Sequence, residues 1–69
     1  MKKGTNVLIK LSKDLIELKL ALLSEREGVI IEEVANEKNE IKGYWVELSG
    51  EPYEDETEWF IPVGSIVLK

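Results

Sequence analysis

The stretch that most constrains the fold runs from Gly43 to Leu68. Tyr44-Trp45-Val46-Glu47-Leu48 alternates with the period of a strand, Ser49 to Glu58 is an acidic, turn-rich connection, Trp59-Phe60-Ile61 resumes extended character, Pro62 to Ser65 breaks it, and Ile66-Val67-Leu68 closes. All of the aromatic residues, Tyr44, Trp45, Tyr53, Trp59 and Phe60, fall inside it. Strand, acidic turn, strand, tight corner and strand make an antiparallel β structure the expected outcome. On the first strand Tyr44, Val46 and Leu48 share one face, and Trp45 and Glu47 the other.

Earlier strands follow from the same reasoning. Val7, Ile9 and Leu11 alternate with Lys10 after the turn signal Gly4-Thr5-Asn6, which predicts strand one over Val7 to Leu11. Gly28-Val29-Ile30-Ile31-Glu32-Glu33-Val34 is strand-forming by residue type, but its alternation slips, so a bulge is expected at Glu32-Glu33. Ala35 to Glu40 reads as a polar turn that Gly43 ends. Residues 13–24 are open between helix, strand and loop. Ser12 is a good N-cap and Leu11, Leu15, Leu18 and Leu22 recur at helical spacing, whereas Ile16, Leu18, Leu20 and Leu22 alternate like a strand. The reading adopted is a long excursion with a helical turn near Asp14 to Leu18, then a short extended piece.

At 69 residues, residues 1–69 form a single domain, and a chain of this size buries only about 60% of the surface its unfolded form exposes. It contains no Cys and no His, which removes disulfides, thiolate metal sites, the commonest general base and the commonest metal ligand. An enzyme is not expected, and no cofactor is implied. Met1 is followed by Lys2 and Lys3, as a secretory leader could be, yet Lys10 and Lys13 interrupt the apolar residues behind them, so a cytoplasmic chain is expected.

The net charge of −5 is unevenly placed. Residues 1–42 carry eight basic and eight acidic side chains, whereas residues 43–69 carry Lys69 against Glu47, Glu51, Glu54, Asp55, Glu56 and Glu58. Phosphate-backbone binding needs clustered Lys or Arg, so nucleic acid is an unfavoured partner and a protein with a basic surface a favoured one.

Five short strands, a Gly at the start of strand two and a corner before the last strand together resemble the SH3-like β-barrel. Ile61-Pro62-Val63-Gly64-Ser65-Ile66-Val67 is similar to the corner and closing strand of Src-type SH3 domains, and Gly43-Tyr44-Trp45-Val46 to their Trp-bearing third strand. Gly4 to Leu11 and Gly28-Val29-Ile30 resemble bacterial SH3-like and KOW-type domains. The resemblance implies a small all-β, five-stranded barrel that binds other molecules and catalyses nothing. The "ALYDY" segment of the proline-binding groove has no counterpart in Val7 to Leu11.

Trp45 and Trp59 are the candidate contact residues among the large side chains, each weighed against a core role. Glu51, Glu54, Asp55, Glu56 and Glu58 match no EF-hand spacing, so they are read as a solvated turn or docking surface and not as a metal site. The partner-binding surface is therefore assigned to Trp45, Tyr53, Glu54, Asp55 and Glu56. A weak dimer through Leu20, Leu22 and Leu23 is a further expectation. Two other readings use the same features: a KOW-like nucleic-acid- or ribosome-associated adaptor, needing a basic patch from Lys2, Lys3, Lys10, Lys13 and Lys19, and an acidic inhibitor whose turn mimics a polyanion.

Overall fold

A computed structural model describes residues 2–69. Five antiparallel strands, β1 (Asn6–Ile9), β2 (Glu27–Ala35), β3 (Ile41–Leu48), β4 (Glu58–Pro62) and β5 (Ile66–Leu68), form one sheet in the order β4-β3-β2-β1-β5. The two edge strands are consecutive in the chain. Pro62 and Ile66 are four positions apart, a reach of at most about 14 Å, whereas the edges of a flat five-stranded sheet lie about 19 Å apart. The sheet must therefore curl, and a single 3₁₀ turn at Val63–Ser65 makes the corner.

Alternation decides what the curl encloses. Val7, Ile9, Ile30, Tyr44, Val46, Leu48, Ile61 and Ile66 point inward and form the core with Leu15, Leu20 and Leu23. Gly28 lies where a Cβ would come within 2.7 Å of the Glu47 carbonyl oxygen, so β2 and β3 approach there more closely than any side chain permits.

The first excursion is a cap over this core. Ser12 starts helix α1 (Lys13–Glu17) and its hydroxyl accepts from the Leu15 N–H at 3.1 Å. The helix ends on Lys19, at φ 62°, with the Lys19 N–H donating to Ile16 O at 2.9 Å and the Leu20 N–H to Leu15 O at 3.0 Å. That pair of bonds is a Schellman motif with a lysine where glycine is usual, and it swings Leu20 inward beside Leu15. A 3₁₀ turn, Ala21–Leu23, follows in place of the extended piece expected there. The Ser12 hydroxyl also bonds that of Ser65, which is fully buried, tying the cap to the β4–β5 corner.

Three other expectations are corrected. β1 stops at Ile9, because Leu11 leads outward into the helix and is exposed. The irregularity in β2 falls at Ile31, since Ile30 pairs with Val46 and Glu32 with Trp45. Gly43 ends no turn but sits inside β3 opposite Pro62. No helix among the described residues is long and apolar enough to cross a membrane.

Candidate functional site

Strand pairing puts Trp45 at the centre of the outer face. It lies between Glu32 on β2 and Phe60 on β4, and its ring meets that of Phe60 edge-on at 6.1 Å between centroids. Trp45 keeps 39% of its surface exposed, an unusual state for a large aromatic in a strand interior. Gly43 makes the arrangement fit. A Cβ there would fall 2.6 Å from the Phe60 ring, so the ring lies over the glycine and braces Trp45 from the side. Because Ile31 is the bulged residue, Ile31 and Glu32 both reach this face.

These residues frame an open depression of about 400 Å³ lined by Lys3, Ile31, Glu32, Trp45 and Glu58. Glu58 stands directly opposite Glu47 across the β3–β4 ladder, and like charges so placed repel. The depression thus has an apolar floor and an acidic rim, with Lys3 its one cationic lining residue. Its chemistry suits a cationic side chain with an aliphatic stem, through contact with Ile31, attraction to Glu32 and Glu58, and the face of Trp45.

The acidic turn is a second feature, at the tip of the β3–β4 hairpin. Tyr53 and Glu56 exchange backbone bonds of 2.9 and 3.0 Å, and Glu54 and Asp55 between them have φ of 49° and 65°. Two successive left-handed residues in a two-residue connection define a type I′ turn, usually filled by Asn-Gly. Here it holds two exposed carboxylates on strained backbone.

Tyr53 anchors this tip. Its ring packs edge-on against Trp59 at 5.4 Å, and the Trp59 indole N–H donates to Glu56 O at 3.1 Å. Trp59 pairs with Val46 and packs on the core, so Tyr53 belongs to the inner side of the hairpin and Trp45 to the outer. Of the five residues assigned from sequence, the structure gathers Tyr53, Glu54, Asp55 and Glu56 at the tip and places Trp45 apart from them on the sheet. Arg26 braces the base of the turn through Nη2, which donates to Ser49 O at 3.1 Å and to Glu51 O. Among the described residues no group of three or more acidic side chains is arranged to hold a metal ion.

Ile31, Glu32, Phe60 and Arg26 escaped the sequence reading. The slipped alternation at Ile31-Glu32 was a signal for the first two, but only strand register shows that they meet Trp45. Of the three leucines expected at a dimer contact, Leu20 and Leu23 are 8% and 0% exposed and belong to the core, and Leu22, at 78%, is on the surface.

The turn chemistry predicts an outcome by itself. Each non-glycine residue held left-handed costs about 1–2 kcal/mol, partly offset by the flexibility that glycine adds to the unfolded chain. Combining Glu54→Asn with Asp55→Gly is expected to raise stability by about 1 kcal/mol, seen as a rise of roughly 4–8 °C in Tm. An unchanged or lower Tm would show that the tip is not strained.

Comparison of the chain with protein families, with curated proteins and with solved structures finds no match.

Proposed function

We propose that this chain is a cytoplasmic, non-catalytic interaction module of SH3-like barrel type that binds a basic protein partner through the outer aromatic face and the acidic hairpin tip. The observation that carries the reading is the placement of the charge. The acidic excess of residues 43–69 is displayed on one hairpin, and the half-open tryptophan on its β3 strand pairs with Glu32 on one side and Phe60 on the other. Charge of that kind steers a basic partner and sets its approach rate, while Trp45 and Phe60 supply area that can be desolvated. Curling of the sheet and the 3₁₀ corner before β5 support the barrel. Tyr53 acts in this scheme as the strut that presents Glu54, Asp55 and Glu56.

The test separates the two surfaces. Once a partner is captured, replacing Glu54, Asp55 and Glu56 together with Gln should slow association about tenfold at low salt and flatten its salt dependence. Trp45→Ala should leave association nearly unchanged and speed dissociation about tenfold. A turn that alone carries binding would make the protein a polyanion mimic. Binding abolished by Leu22→Ser and untouched by the other variants would overturn the reading.

A further inference from the structure

The depression beside Trp45 has a feature that works against its own chemistry. Lys3, a cation, lines a site whose other charged groups are Glu32 and Glu58. The backbone that carries it is held in place. The Thr5 N–H donates to Lys2 O at 3.1 Å and the Thr5 hydroxyl to the same oxygen at 2.6 Å. Gly4 has φ 90°, so Lys2 to Thr5 form a type II turn with Lys3 and Gly4 at its centre. The Gly4 N–H donates to Ile30 O at 2.7 Å, fastening that turn to β2 immediately before the bulge that delivers Ile31 and Glu32. The same short region of β2 therefore positions the lysine, the apolar floor and one carboxylate. Among the described residues, the lysines in ion pairs within 4.0 Å are Lys10, with Glu25, and Lys69, with Glu27. Lys3 is in neither pair.

We propose that Lys3 is a specificity-determining residue of this depression: carried at the rim by its turn, it offsets the field of Glu32 and Glu58 and so limits how strongly a cationic side chain is held over Trp45. This rests on the interaction-module reading above and goes beyond it by assigning a residue that opposes binding. The occupant is an arginine or lysine side chain of a basic segment, and the consequence is selectivity. A lone cation is held weakly, and appreciable affinity demands either several cations or an acidic group in the partner that engages Lys3.

The experiment uses the whole chain, labelled with ¹⁵N, and the peptide acetyl-Gly-Arg-Gly-Arg-Gly-amide, with its citrulline counterpart as the neutral isostere. The two indole N–H signals serve as reporter and control, since Trp45 faces the depression and Trp59 is bonded to Glu56 O on the other side of the hairpin. The arginine peptide should shift the Trp45 indole and leave that of Trp59 in place, and the citrulline peptide should shift neither. In about 20 mM salt, Lys3→Ala should tighten binding about threefold and Lys3→Glu about tenfold, and both gains should shrink to near onefold at about 0.5 M salt. Lys13→Ala makes the same change in net charge on α1, which caps the core side of the sheet, and should tighten binding by less than about 1.5-fold. Equal affinities for the parent and both Lys3 variants, a weakening by Lys3→Ala, or an equal gain from Lys13→Ala would overturn the assignment of Lys3 while the Trp45 shift kept the module reading intact. Shifts confined to the amides of Tyr53 to Glu56 would also overturn it and favour the turn alone. No shift in any variant would overturn both.

Discussion

Gly43→Ala is expected to unfold this domain or bring it close to unfolding. The added methyl would stand 2.4 Å from the Ile61 carbonyl oxygen and 2.6 Å from the Phe60 ring. The ring can swing aside, but the carbonyl belongs to the backbone of β4, and moving it pulls β4 away from β3. Phe60 would at the same time lose its seat over the glycine and its edge contact with Trp45. Overpacking of this severity costs about 3 kcal/mol or more, in a chain whose size allows a margin of only a few kcal/mol. Thermal unfolding followed by circular dichroism should show Tm lower by at least about 12 °C, or no cooperative transition. A shift below about 4 °C would mean that β3 and β4 are not as close as the structure has them.

Two adjacent leucines supply the second large effect. Leu23→Ala removes a side chain with no exposed surface from the centre of the cap and should cost about 2–5 kcal/mol, whereas Leu22→Ala, 78% exposed, should cost less than about 0.5 kcal/mol. Urea unfolding of both variants measures the contrast as a difference in midpoint. Similar midpoints would place the cap differently on the core.

That pair also shows where sequence patterning stops. Strands β1 and β3 were legible because alternating apolar residues over a half-buried surface leave few choices, and the inward set Tyr44, Val46 and Leu48 came directly from period two, while β2, β4 and β5 were legible from strand-forming residue types between turn signals. The leucines of the cap carry no such information, as their spacing suits both a helix and a strand. What separates Leu20 and Leu23 from Leu22 is a Schellman motif on Lys19, a residue whose type gives no hint of positive φ. The outer face was half legible. Trp45 could be assigned to the less apolar side of its strand, but Glu32 and Phe60 become its neighbours only through register, and a bulge displaced by one residue decides which β2 side chains arrive. The turn was visible as charge, while the opposite facing of Tyr53 and Trp45 follows from pairing Trp59 with Val46.

The sheet order places β1 between β2 and β5, so one of its neighbours is the last strand of the fold. During synthesis β2, β3 and β4 can pair by hairpins as they emerge, but β1 keeps a bare row of N–H and C=O groups until Ile66 to Leu68 leave the ribosome. The free edge of β1 is therefore closed only when β5 arrives. Throughout that wait, the strand carrying Val7 and Ile9 is open along one edge to pairing with a stranger.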